Sequence, residues 1–177
     1  MRRFASIDAP AEVVRQVFID FVRWPEWMPG VQEVTILEAT EDQAVLDVLH
    51  HQFGQSFHIK QRCRIESDGL RQSQIKGKFR SWESRWRFVT PPEGEGTTVS
   101  CEMQLDPGLV AWILPRRVLR GFLDRLFEDC LAGATAQARI LTDTAEAEAA
   151  GETLLQVFET DAGLEVWIEG QRFFVER

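Results

Sequence analysis

The sequence predicts an α+β domain in which a curved antiparallel sheet wraps around a long C-terminal helix. Three observations carry that expectation. From residue 31 to residue 105 apolar and polar side chains alternate as in strands, with glycine or proline where hairpin turns belong. Ahead of this stretch, residues 10–30 combine helical spacing with Pro10, Pro25 and Pro29. Behind it, one apolar stripe at spacings of three and four runs from Leu119 to Leu141.

Residues 3–7 read as a short first strand. Asp8-Ala9-Pro10 then turns the chain into a helix, with Pro at the first helical position. Val13, Val14, Val17, Phe18 and Phe21 give that helix an apolar face. Trp24-Pro25-Glu26-Trp27-Met28-Pro29-Gly30 allows one further helical turn and then a loop, because its prolines interrupt a continuous helix. Strands follow at residues 31–39, 44–53, 55–66, 71–77, 80–88 and 97–105. Gly54, Asp68-Gly69, Gly77 and residues 91–96 are the turns between them. Such short connections imply antiparallel neighbours.

Asp106-Pro107-Gly108 offers a cap and a proline start for the next helix, which Pro115 kinks or restarts. From residue 116 to 142 this helix would measure about 40 Å at ~1.5 Å per residue. A helix that long and that apolar on one side needs the sheet as its partner. Residues 145–152 read as a fraying end or linker, and residues 154–158, 164–168 and 171–175 as short strands. Two or three strands are not stable alone, so the tail is expected to extend the sheet or to contact a second copy of the chain. The organisation is therefore a domain over residues 1–144 and an extension over 145–177.

Turn positions set the expected faces. A two-residue turn at Gly54-Gln55 places Leu46, Val48 and His50 beside Cys63, Gln61 and Ile59, with Phe57 and Ile65 on the same apolar face. His51, His58, Lys60, Arg62 and Arg64 then share the other face, with His51 opposite His58. A bulged turn at Asp68-Gly69 brings Arg71, Ser73 and Ile75 inward. Trp82, Ser84, Trp86, Phe88, Val99, Cys101, Met103 and Leu105 complete the inner face.

One strand, two short helices, six strands and a long helix is the order of a helix-grip fold, whose sheet and helix commonly leave a cavity between them. Ligand sites are apolar cavities with a few placed polar groups. The expected ligand-binding residues are Val48, His50, Phe57, Ile59, Gln61, Ile75, Trp82, Ser84, Trp86 and Met103 on the sheet. Trp112, Phe122 and Leu126 join them from the helical side. Trp82 and Trp86 form an aromatic wall suited to a planar apolar ligand.

Charge and composition narrow the function. The 177 residues carry 20 basic and 28 acidic side chains, a formal net charge of −8, which argues against general nucleic-acid binding. The basic residues concentrate between residues 55 and 88, where nine oppose three acidic ones. This stripe, His58, Lys60, Arg62, Arg64, Lys76, Lys78, Arg85 and Arg87, reads as a solvated face balanced by Glu66, Glu83 and Glu102. Its alternative is a surface for anionic lipid or ribosomal RNA. The run Gly108 to Pro115, followed by Arg116, Arg117 and Arg120, reads as a buried helix start or as a lid that touches a membrane surface. Cys63, Cys101 and Cys130 are isolated and odd in number, which indicates reduced thiols and a cytoplasmic setting. The N-terminus is too short and polar for a signal peptide, and no apolar run has the length of a membrane span. His51 with His58 gives two metal ligands and no third. No GxGxxG, phosphate loop, GxSxG or HExxH occurs, so no cofactor, metal or catalytic residue is assigned.

Three segments, Ile7-Asp8-Ala9-Pro10-Ala11-Glu12-Val13-Val14, Val17-Phe18-Ile19-Asp20-Phe21 and Trp24-Pro25-Glu26-Trp27-Met28-Pro29-Gly30-Val31, carry a resemblance. This opening, with the Asp106-Pro107-Gly108-Leu109 entry to the long helix, resembles the START/Bet v 1-like (SRPBCC) superfamily in its polyketide cyclase/dehydrase and coenzyme Q-binding (Coq10-like) branch. The resemblance covers residues 1–142. The superfamily includes lipid carriers, cyclases and ribosome-association toxins, and the apolar inner face without an acid–base constellation points to binding or transport of a hydrophobic small molecule, a lipid or isoprenoid quinone, more than to an enzyme. Two alternatives stand beside it. One is a polyketide cyclase or dehydratase using His50, Arg80 and Ser84. The other is a ribosome- or protein-interaction module of the ribosome-association toxin type. A homodimer and a peripheral membrane contact belong among the expected partners.

Overall fold

The computed structural model describes residues 1–52, 54–92, 96–108, 116–150, 155–160, 163–168 and 171–176, with side chains described up to residue 145, Arg116 excepted. They divide into two compact units, Met1–Ala138 and Arg139–Arg177.

The first unit is a seven-stranded antiparallel sheet in the order β1-β7-β6-β5-β4-β3-β2. Its strands are β1 Arg2–Ile7, β2 Val31–Ala39, β3 Gln43–Gln52, β4 Gln55–Glu66, β5 Gly69–Lys76, β6 Ser81–Val89 and β7 Thr97–Asp106. Between β1 and β2 lie α1 (Ala11–Ile19), a 3₁₀ turn at Phe21–Arg23 and α2 (Trp24–Trp27). The long helix, α3, spans Arg116–Ala150. This is the helix-grip, START-like fold that the element order predicts.

Local chemistry explains the entry to the fold. Pro10 stands one residue before α1, in extended conformation, and its carbonyl accepts from Val14 N at 3.0 Å. Val14, Val17 and Phe18 are buried where α1 packs on β5, β6 and β7. Thr97 Oγ1 donates to Ala9 O at 2.7 Å and pins the β1–α1 junction to β7. Gly30 takes φ +74°, which a side chain rarely adopts, and a Cβ there would press on His51 O and Gln52 Cγ. Its carbonyl accepts from His51 N at 2.7 Å, so the Trp-Pro motif closes directly onto β3. On α3, a Cβ at Gly133 would lie 2.3 Å from Trp27 O, so only glycine lets that helix approach α2 so closely.

Several registers differ from expectation. Between β3 and β4 the close is Gln52 opposite Gln55, so His50 faces Phe57, Val48 faces Ile59 and Leu46 faces Gln61. The turn sits one residue earlier than the glycine suggested. Each pairing slides by two residues, which keeps every side chain on its expected face. His51 therefore meets Ser56 (Nδ1 to Oγ 3.0 Å), while His58 meets Asp47 (Nδ1 to Oδ1 3.0 Å), and the two histidines are not opposite each other.

The β4–β5 turn has the larger consequence. Glu66 faces Gly69 across a plain two-residue connection, without the expected bulge. Leu70 and Gln72 then point inward, and Arg71 points to solvent. The irregularity lies later, where Lys60 pairs Lys76 but Gln61 pairs Gln74. Ile75 is the extra residue of that bulge and is 46% exposed.

Helix α3 continues to Ala150, through the segment read as a frayed end or linker, because Ala and Glu are strong helix formers. At its other end Asp106 Oδ1 accepts from Gly108 N at 2.9 Å. No α-helix begins at Pro107 or Gly108, and residues 109–115, Trp112 and Pro115 included, lie outside the described residues. Among the described residues no helix is long and apolar enough to cross a membrane.

In the second unit β8 (Leu155–Thr160), β9 (Gly163–Ile168) and β10 (Gln171–Glu176) form an antiparallel meander in the order β10-β9-β8. Among the described residues these strands pair only with one another. Of the two expected roles, extension of the seven-stranded sheet is therefore not seen among these strands.

Candidate functional site

The concave face of the sheet holds a cavity of about 70 Å³ beneath α3. Its floor is Gln61 on β4, Gln72 on β5, Ser84 and Trp86 on β6, and Met103 on β7, all buried. Leu126, Phe127 and Cys130 of α3 form the roof. Trp24, Met28 and Pro29 close one side, and half-buried His50, Gln52 and Trp82 stand at the rim.

Most floor polar groups are spent on each other. Gln72 Oε1 accepts from Ser84 Oγ at 2.7 Å and from Trp86 Nε1 at 3.3 Å, which fills both lone pairs. Trp86 stacks on Phe127 with centroids 5.7 Å apart and 14° between planes, which holds both rings broadside to the cavity. Trp24 Nε1 donates to Phe18 O at 3.1 Å, which fixes the indole in the side wall. Gln61 differs. Its Nε2 reaches Cys63 Sγ at 3.7 Å, a weak contact.

Among the described residues no Asp, Glu, Lys or Arg lines the cavity. Burial lowers the His50 pKa to about 4, so its ring is neutral at pH 7. That ring stacks on Phe57 at 5.9 Å. Burial also pushes Cys63 and Cys130 up to about 12, so both are neutral thiols. The described lining is thus uncharged and rich in aromatic rings, with Gln52, Gln61, Gln72, Ser84 and the neutral His50 ring as its polar groups. Among the described residues no group of three metal-ligating side chains forms.

Sequence comparison gives a family for this architecture. The profile described as "Polyketide cyclase / dehydrase and lipid transport" matches residues 7–127, more than half of the chain. The chain belongs to that family. Among solved structures, a protein of Thermus thermophilus aligns with a TM-score of 0.70 and 19% identity, over 80% of this chain and 97% of that one. A START superfamily protein from Mycobacterium smegmatis aligns with a TM-score of 0.69 and 18% identity, over 80% and 97%. The Zhui aromatase/cyclase from Streptomyces sp. R1128 aligns with a TM-score of 0.67 and 17% identity, over 86% and 97%. At these identities the likeness is one of fold. No curated protein sequence matches the chain.

Within this polyketide cyclase/lipid transport domain, the structure gathers seven of the residues read from the sequence: His50, Gln61, Trp82, Ser84, Trp86, Met103 and Leu126. Val48 and Ile59 are buried core beside the cavity and do not line it. Phe57 backs His50 from outside the lining. Phe122 is half-buried on α3, also outside the lining. Ile75 is corrected to the solvent side by the bulge, and Trp112 falls outside the described residues. Arg80 is corrected too, since it is exposed and faces Asp106 at 3.8 Å. Sequence reading missed Trp24, Met28, Pro29, Gln52, Gln72, Phe127 and Cys130. Phe127 and Cys130 were legible as part of the α3 stripe, and Gln72 was lost with the β5 register.

On the opposite face the basic stripe is partly neutralised. Arg85 pairs with Glu66, Arg87 with Asp68 and His58 with Asp47, while Arg71 takes Glu83. Glu102 pairs with Arg2 and not with the stripe.

Proposed function

We propose that this protein binds and carries an uncharged hydrophobic small molecule, a lipid or isoprenoid quinone, with its head in the cavity under α3. The observation that carries this is the lining, which among the described residues is mostly aromatic and apolar and holds no charged group. The enclosed volume is below the roughly 150 Å³ that holds benzene in an engineered cavity, and far below the roughly 300 Å³ of drug-sized sites. A larger ligand therefore keeps most of its body at or beyond the half-buried rim, or parts α3 from the sheet. The family description, which spans cyclases and lipid transport, supports the reading. Organic extraction of freshly purified protein, followed by mass spectrometry, is expected to release an apolar compound in stoichiometric amount. An empty extract, with no quenching of tryptophan fluorescence by quinones or lipids, contradicts the proposal.

A second reading, a cyclase or dehydratase, rests on His50. A neutral imidazole at the rim of an apolar chamber is chemically a general base. It stands alone there, because the Ser84 proton is committed to Gln72 and Arg80 points away. Loss of ring closure in His50→Ala, with ligand binding retained, would favour this reading. An unchanged rate would remove it.

A further inference from the structure

The outer face of the sheet carries charge that the fold does not neutralise. Residues 55–65 and 69–81 hold seven basic and no acidic side chains, in a chain of net charge −8. The carboxylates expected to balance them are engaged elsewhere. Glu66 holds Arg85, Glu83 holds Arg71 and Glu102 holds Arg2. Asp47 lies opposite Lys60 but pairs with His58. Among the described residues, Lys60, Arg62, Lys76 and Lys78 have no ion-pair partner.

The β5 bulge gathers these cations at one end of the sheet. Gln74 pairs with Gln61 on the inner face, while Lys76 pairs with Lys60 on the outer face. The extra residue, Ile75, and Lys76 both point outward as a result, and Ile75 is 46% exposed. Like charges directly opposite each other, as at Lys60 and Lys76, destabilise a sheet. An exposed isoleucine among them contributes nothing to the core. The same arrangement is favourable against a surface that is anionic outside and apolar beneath.

This patch borders the cavity mouth. Lys78 Nζ stands 4.9 Å from the centroid of the Phe57 ring and donates to Gln55 Oε1 at 3.1 Å. Phe57 in turn stacks on His50 at the rim. A single-stranded nucleic acid would call for open aromatic rings on which bases stack. Here the exposed apolar side chain is aliphatic, and the Phe57 ring is covered by Lys78 and His50.

We propose that Lys60, Arg62, Lys76 and Lys78, around Ile75, dock the protein on an anionic lipid bilayer with the cavity mouth held at the membrane surface. The cations meet the headgroups and Ile75 enters the boundary with the acyl chains. This goes beyond the ligand-binding reading and does not depend on it.

The test is flotation of the full chain with vesicles of equal parts phosphatidylserine and phosphatidylcholine, and with vesicles of phosphatidylcholine alone. Binding to the anionic vesicles is expected to be tighter by about tenfold or more and to fall steeply with added salt. Lys76→Gln and Lys78→Gln should each weaken it about fivefold, and Ile75→Ser by a similar factor. Arg125→Gln removes the same charge from an exposed position on α3 and should leave binding unchanged. All four positions are exposed, so folding is not at stake. No flotation with the anionic vesicles, equal flotation with both, or equal losses in Lys76→Gln and Arg125→Gln overturns the proposal. Binding of polyuridylate by a protein that ignores the vesicles overturns it too. The solvent extract reads the ligand proposal separately, so either can fail alone.

Discussion

The two halves of the concave face share one sheet and differ in how they are filled. In the half under α1, Phe18 is fully buried, with ring centroids 5.2 Å from Trp27, 4.9 Å from Trp86 and 4.8 Å from Phe88. Nothing polar interrupts that cluster. In the half under α3 the corresponding strand positions carry Gln61, Gln72 and Ser84, and a void remains. Among the described residues both halves exclude charge. The first uses its apolar area for stability, and the second gives up packing to keep a chamber. Trp86 belongs to both, touching Phe18 on one side and Phe127 on the other.

Large-to-small substitution separates the halves most strongly. Phe18→Ala should lower the unfolding free energy by about 3–5 kcal/mol, because the cluster is tight and collapses poorly. Leu126→Ala, at the half-buried roof of the cavity, should lose about 2 kcal/mol or less. Urea denaturation of both variants tests this, and equal losses would erase the distinction between packed and open halves.

Acid acts on the open half through His50. The His50 pKa is depressed in the fold, from 6.5 to about 4. Between those values the unfolded chain holds a proton that the native protein does not, so stability falls as pH drops through the window. The full contribution is roughly 3 kcal/mol. Comparing wild type with His50→Phe in urea at pH 7 and pH 4.5 should show a smaller acid loss in the variant. Parallel losses would mean that His50 is charged or solvated.

A smaller effect probes the seam between the halves. Gln72→Leu leaves the Ser84 hydroxyl and the Trp86 indole N–H without their acceptor, and should destabilise by about 1–3 kcal/mol. A neutral result, again by urea denaturation, would show that water replaces the amide.

The same contrast explains what could be read from sequence. The packed half was legible because Val14, Val17 and Phe18 follow helical spacing, and Phe88, Val99 and Cys101 follow strand alternation. Face assignments on β3 and β4 survived a register slide because it was by two residues. On β5 the alternation is ambiguous, since Arg71, Ser73 and Ile75 are no more polar than Leu70, Gln72 and Gln74. The turn alone decides that strand, and Ser67-Asp68 makes a tight one where a bulge was expected. Gln72 and Ile75 changed places for that reason. Trp24, Met28 and Pro29 reach the cavity through the fold of the α2 turn onto the sheet. That is a tertiary contact with no periodic signal.

The central claim is that the space under α3 is a binding chamber. Titration with N-phenyl-1-naphthylamine, an uncharged apolar fluorophore, tests it most directly when wild type is compared with Leu126→Trp, which fills the space from the roof. We expect enhanced, blue-shifted emission with wild type, and affinity at least tenfold weaker in a variant of unchanged thermal stability. Equal binding by both proteins would place the fluorophore elsewhere and contradict the account.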